Sequence, residues 1–191
     1  MKRFLLLIIS VLLALNANAQ QENKHLTFKG IPIDGSLSSF ITKLEKQGFS
    51  LETTYDNAAM MKGNFGGENC EIGIYSTANA NSVFQIIVAF PKSSTWASLK
   101  AIYNKYKDAL TKKYGKPEVI EKFYSPYDEG DGYEMSAIKA DKCLYSSKFY
   151  VEHGIIQLVI FNSANIGIAY TDKINKAIDE DENDASVYND I

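Results

Sequence analysis

Two apolar runs of nearly the same composition constrain this chain most. "FQIIVAF" occupies residues 84–90 and "IIQLVIF" occupies residues 155–161. Both are rich in β-branched and aromatic residues, which read as sheet strands. Each lies downstream of an amphipathic helix pattern that stops at a glycine. In "IPIDGSLSSFITKLEKQGF" (31–49), Leu37, Phe40, Ile41 and Leu44 recur at i, i+3, i+4 and i+7. That spacing puts them on one helical face. Asp34 or Ser36 can cap the start, and Gly48 suits the left-handed residue beyond the end, so a helix is predicted over about 36–47.

The second pattern is longer. In "TWASLKAIYNKYKDALTKKYGKP" (95–117), Trp96, Leu99, Tyr103, Tyr106 and Leu110 form the stripe, and Gly115 and Pro117 end it. A stripe at helical spacing reads as core, in preference to a sugar-stacking surface. Between each helix and its apolar run lie further strand patterns and one cysteine. "SLETTY", "MKGNFGGENC" and "CEIGIYST" precede the first run. "PEVIEKFY", "YEMSAIKA" and "KCLYSSKFYVEH" surround the second, with "YDEGDG" as a turn. Gln85 maps to Gln157 at an offset of 72, and Cys70 maps to Cys143 at an offset of 73. Self-similarity of this kind signals repeated units. The expected fold is therefore α+β: two tandem repeats (about 31–91 and 92–170) of a helix plus an antiparallel three- to four-stranded meander. The helices are expected to pack on one face of the sheet.

This layout resembles the β-lactamase inhibitor protein and related small exported proteins, including outer-membrane assembly lipoproteins of the same helix-and-sheet type. The block at 95–117 also resembles segments of uncharacterised exported bacterial proteins. The resemblance spans residues 31–170 and rests on layout, so it transfers no binding residue. The chain lacks the lipobox cysteine of the outer-membrane type.

The ends read differently from the body. "MKRFLLLIISVLLALNANAQ" has a basic start at Lys2 and Arg3, an apolar run from Phe4 to Leu15, and a small-x-small site at Ala17 to Ala19. This is a signal-peptide pattern over residues 1–19, with Gln20 as the new N-terminus. The apolar run is short of the ~20 residues a spanning helix needs. The expected location is therefore periplasmic or secreted, with no membrane span in the mature chain. Residues 20–178 form the globular unit, and 179–191 read as a disordered tail with six acids and no base. Without Lys2 and Arg3 there are 18 basic and 23 acidic residues, so the body between leader and tail is near neutral. A near-neutral body offers no electrostatic footprint for nucleic acid. Arg3 is the only arginine; without it the chain lacks the usual bidentate ligand for phosphate.

Little chemistry is legible. His25 and His153 are the only histidines, no nucleophile motif occurs, and the glycines of "GNFGG" (63–67) lack the lysine of a phosphate loop. No cofactor and no metal are expected. The acids of "DEGDGYE" and of the tail only faintly resemble a calcium loop; in the tail the central glycine is replaced by Asp184. Cys70 and Cys143 either pair, since exported chains fold where disulfides form, or stay as buried thiols. A two-fold relation between the repeats would bring them face to face.

The functional expectation is an exported, non-enzymatic cell-envelope protein, a protein-binding or inhibitor-like module whose partner is an envelope protein or glycan. Tyr75, Tyr124, Tyr127, Tyr133, Tyr145 and Tyr150 are the candidate binding surface, because tyrosine-rich surfaces favour recognition. The alternatives are an envelope assembly component or a glycan- or peptide-acting hydrolase.

Overall fold

A computed structural model of the chain describes residues 24–190; the expected signal peptide lies outside the described residues. The protein is α+β and mostly sheet. The chain begins with a two-stranded hairpin, β1 (Thr27–Phe28) and β2 (Ile31–Pro32), and helix α1 (Leu37–Glu45). Strands β3 (Ser50–Thr54), β4 (Ala58–Phe65), β5 (Glu68–Ser76) and β6 (Val83–Ala89) follow. Next come helix α2 (Trp96–Tyr114), strand β7 (Glu118–Phe123) and helix α3 (Glu134–Lys139). The chain closes with β8 (Cys143–Val151), β9 (Gly154–Phe161), β10 (Asn165–Asp172) and helix α4 (Lys173–Asp190). Strands β3 to β10 form one eight-stranded sheet in the order β3-β4-β5-β6-β10-β9-β8-β7, antiparallel throughout.

This single sheet replaces the two tandem repeats expected from the sequence. The matched runs are not equivalent strands: "FQIIVAF" forms β6, the fourth strand after α1, whereas "IIQLVIF" forms β9, the third after α2. β6 pairs with β10, from Gly167 opposite Ala89 to Thr171 opposite Gln85. The helices differ too, with nine residues in α1 and 19 in α2. The similarity of the two runs reflects a shared need, since both lie in the middle of the sheet with one face against the helices, where β-branched residues pack well.

The cysteines are likewise not equivalent. Cys70 lies on β5 and Cys143 starts β8, with β6, β10 and β9 between them. Four inter-strand spacings separate them by about 19 Å, far beyond the reach of a disulfide. Both are free thiols. Burial, helped by the nearby charge of Glu68, pushes Cys70 up to about 11. Burial and the Glu129 charge push Cys143 up to about 12.

The two long amphipathic patterns fold as helices for the reasons their spacing implies. Ser36 caps α1 by accepting from the Ser39 N–H at 3.3 Å, and Thr95 caps α2 through the Ser98 N–H at 3.3 Å. Such caps are worth about 1 kcal/mol each. Gly48 and Gly115 take positive φ values of 88° beyond the helix ends. Leu37, Phe40, Ile41 and Leu44 of α1, and Leu99, Tyr103, Tyr106 and Leu110 of α2, are buried. They pack with Ile72, Ile74, Ile86, Val88, Ile156, Leu158, Ile166 and Ile168 from one face of the sheet. The buried Tyr103 hydroxyl shares a 2.7 Å hydrogen bond with the Ser147 hydroxyl, which meets the polar requirement of a phenol in the core.

Three further expectations change. "YEMSAIKA" supplies helix α3 instead of a strand, with Glu134 accepting from the Gly130 N–H at 2.8 Å. That bond folds the Gly130–Gly132 turn onto the helix start, where a carboxylate is favoured. The acidic tail is helical from Asp179 to Asp190 as the continuation of α4, so its backbone forms no calcium-type loop. "NIGIAYTDKINKAI" (165–178), whose pattern reads as either a last strand or a short terminal helix, contains both: β10 and the start of α4.

α4 is held by its beginning. Asp172, fully buried, accepts from the N–H groups of Ile174 at 3.1 Å and Asn175 at 2.9 Å, and so caps the helix. Its other oxygen accepts from the Leu26 N–H at 2.8 Å, while His25 Nδ1 lies 3.1 Å from the capping oxygen. Asn175 Nδ2 donates towards the carbonyls of Ile33 at 3.1 Å and Val83 at 2.9 Å and towards Asp34 at 3.2 Å. Burial opposes ionisation of Asp34. The hydrogen bonds from Gly35 and Asn175 and the His25 charge outweigh it, and its carboxyl sits below the ordinary value. Further along α4, Glu182 accepts from the N–H groups of Asn79 and Ala80 at 2.8 and 2.9 Å, which holds its carboxyl low.

Two outcomes follow from this arrangement. Asn175→Ala strands two buried carbonyls and should cost about 2–3 kcal/mol. Urea unfolding should show a lower midpoint at unchanged slope, and a change below about 0.5 kcal/mol would contradict the assigned role. Alkylation of the unfolded chain without reductant should modify both Cys70 and Cys143. A mass showing neither modified would contradict the four-strand separation.

Candidate functional site

Side chains alternate across a strand, so the sheet has a second face. The face opposite α1 and α2 carries Met60 of β4, Tyr75 of β5, and Gln85, Ile87 and Ala89 of β6, all half-buried. From β10 it carries Gly167, Ala169 and Thr171, and from β9 Ile155, Gln157, Val159 and Phe161. Leu144, Ser146 and Lys148 of β8 and Glu118, Ile120 and Lys122 of β7 complete it. The pairing register arranges these residues in straight rows across the sheet. One row runs Met60, Gly73, Ile87, Ala169, Gln157, Lys148, Glu118. The next runs Lys62, Glu71, Ala89, Gly167, Val159, Ser146, Ile120.

Charge is confined to the ends of these rows. The outward residues of the three central strands, β6, β10 and β9, include no acid and no base. An antiparallel sheet with one face to water normally alternates cleanly between apolar and polar residues. Here the outward face of the central strands carries no charge at all, and apolar residues take most of its positions. The polar groups that do occur are satisfied by one another: Gln85 Nε2 donates to Thr171 Oγ1 at 2.9 Å, and Gln157 Nε2 to Ser146 Oγ at 2.9 Å.

Glycines shape the surface. A Cβ on Gly73 would stand 3.1 Å from the Tyr75 ring, and one on Gly167 would run into the Phe161 ring. Both rings therefore lie down on the sheet over a glycine, and the face is shallow. A depression bounds it at each end. One, of about 480 Å³, is lined by Tyr150, Ile155, Thr171, Lys176 and Ala177, between the β8–β9 hairpin and α4. The other, of about 460 Å³, is lined by Tyr124, Cys143, Leu144 and Phe161.

Of the six tyrosines expected to form a surface, the structure brings Tyr75 and Tyr150 to this face. They stand at opposite ends of the row Tyr75, Gln85, Thr171, Ile155, Tyr150. Tyr150 donates to Glu118 at 3.0 Å. Tyr124, Tyr127 and Tyr133 lie in the segment between β7 and α3, Tyr124 and Tyr133 exposed and Tyr127 half-buried. Tyr145 corrects the expectation: it is 2% exposed and faces the core. It sits edge-on to Trp96 at 5.1 Å and Tyr103 at 5.5 Å. Its hydroxyl donates to Glu129 at 2.8 Å. The hydrogen bond from Lys100 holds the Glu129 carboxyl below its ordinary value, and the Tyr145 hydroxyl adds to that effect against burial. Tyr145 takes the inward position because β8 alternates Tyr145, Ser147, Phe149 inward against Ser146, Lys148, Tyr150 outward.

The apolar residues Ile87, Ile155, Val159 and Phe161 of the face went unread as a surface. Their signal was present in the apolar residues at both parities of "FQIIVAF" and "IIQLVIF". Among the described residues no group of three or more His, Cys, Asp or Glu side chains comes together to hold a metal ion. His25 faces the Asp172 cap, and His153 lies 3.9 Å from Glu152. The geometry is that of a broad, shallow, uncharged surface with a charged margin, suited to contact with another surface. The chain matches no known protein family, no curated protein and no solved structure.

Proposed function

We propose that this is an exported, non-enzymatic binding protein of the cell envelope that recognises a protein partner through the uncovered face of its sheet. The observation that carries the reading is the uncharged centre of that face. Ile87, Ala89, Gly167, Ala169, Val159 and Phe161 are contiguous in the register, and Lys62, Glu71, Lys148 and Glu118 stand at the margin. An apolar centre inside a polar rim is the usual anatomy of a protein–protein contact. A patch of this kind on a chain that keeps it in water costs solubility unless something binds there. The shallowness favours a protein surface over an enclosed small molecule. Export follows from the leader pattern of residues 1–19.

The test is capture from the host's own envelope fraction with the chain from Gln20 onward. The unaltered chain should retain a reproducible protein. The double variant Ile87→Lys and Val159→Lys places two charges at the centre and should weaken capture at least tenfold, in the range of central interface residues. Both positions are half-exposed, so thermal unfolding should stay close to that of the unaltered chain. Equal capture by the double variant, or retention of oligosaccharide alone, would overturn the proposal.

A further inference from the structure

The sheet has two open edges, and they are built differently. At one end β3 is irregular, its register with β4 shifting between Leu51 and Thr53. A bulge of this kind blunts an edge against further pairing. At the other end β7 pairs with β8 from Glu118 to Phe123 without a shift. Pro117 precedes it and none lies within it. Its residues Glu118 to Lys122 are exposed, and Val119 and Ile120 place large apolar side chains on its two faces, 45% and 43% exposed. An unbroken edge with apolar side chains on both faces is a template for another strand.

The side-chain order of β7 specifies which strand. On the outward face it presents Glu118, Ile120 and Lys122, an acid and a base flanking an isoleucine. A second copy pairing antiparallel about a two-fold axis normal to the sheet keeps the same face outward. Residues of equal parity then stand opposite one another. Centred on Ile120, this pairing sets Glu118 of each copy against Lys122 of the other, twice, with the two Ile120 side chains between. On the inward face Val119 stands against Glu121. The neighbouring registers fail: centring on Glu121 opposes two glutamates, and centring on Val119 opposes Lys116 to Lys122. Like charges directly opposite are destabilising and opposite charges favourable. Glu118 has an oxygen to spare, since Tyr150 bonds to Oε2. Glu121 has its own ion pair with Lys107, at 2.6 Å, so it needs no partner across the pairing.

We infer that β7 is a self-pairing edge that joins two copies of this chain into a dimer with a continuous sixteen-stranded sheet, in the register that sets Ile120 against Ile120. The inference is independent of what the sheet face binds. It would double that face on one side of the assembly.

Sedimentation of the chain from Gln20, between about 1 and 100 µM, spans the weak end of specific association. A concentration-dependent dimer is expected. Glu118→Lys turns both cross-strand ion pairs into like-charge pairs and should weaken the dimer roughly tenfold. Glu118→Lys combined with Lys122→Glu reverses the pairs and should restore it. A monomer throughout overturns the inference. So does a dimer indifferent to Glu118→Lys, or one weakened by it and not restored by the exchange. Because Glu118 and Lys122 are exposed, thermal unfolding of the double variant should match that of the unaltered chain.

Discussion

The pairing of β6 with β10 is the constraint from which the remaining structure follows. Strands β3 to β6 form one meander and β7 to β10 another, and each leaves its last strand open. Closing those two edges on each other satisfies their backbone groups and removes two edges at once. It also fixes where α1 and α2 must lie, since the apolar face of each helix needs a sheet broad enough to cover. α1 packs over β3, β4 and β5, and α2 over β8, β9 and β10, so the two helices together cover one face. The seam runs through the middle of that layer, with Ile86 and Val88 beside Ile168 and Tyr170.

The end of the seam is where the N-terminal segment meets the start of α4. Asp172 finishes β10 and starts α4, and its two oxygens also receive Leu26 and His25 from the N-terminal segment. Asn175, one turn on, ties Ile33 to Val83 at the start of β6. A fully buried carboxylate is tolerable only when hydrogen bonds replace its lost hydration, and here several donors converge on one group. The consequence for function lies on the other side of the sheet. With both helices committed to one face and α4 held across the strand ends, no described element covers the centre of the outward face. The seam residues Ile87, Ala89, Gly167 and Ala169 are left there, uncharged.

The helices were legible because caps, stripe spacing and terminal glycines are local signals. Ser36, Gly48 and Gly115 each act where the pattern places them. The strand order was not legible. Which strand follows β6 in space is decided by a long-range pairing that leaves no mark on either strand alone, and the likeness of the β6 and β9 runs pointed to the wrong equivalence. The same cause misplaced the cysteines, which were matched by offset and proved to lie on non-equivalent strands. A short terminal helix was one reading of the segment after β10, but the extension of α4 through the acidic tail was not legible, because composition outweighed contact. Its acids read as solvated chain, yet Glu182 finds backbone donors at Asn79 and Ala80, an attachment visible only in three dimensions. Tyr145 shows the limit of residue type: its neighbour by parity, Phe149, fixes it inward, and abundance of tyrosine says nothing about parity. The outward face could have been found by asking why central strands are apolar at both parities.

Native-state hydrogen exchange along the seam tests the central claim, that β6 and β10 unite the chain into one sheet. The amides of Ile86 to Val88 and of Gly167 to Tyr170 should exchange only through global unfolding. Their opening free energies should agree within about 1 kcal/mol with those of the inner strands on both sides. Seam amides that exchange far faster than Ile72–Ile74 and Ile156–Leu158 would show two meanders opening independently and would contradict the account.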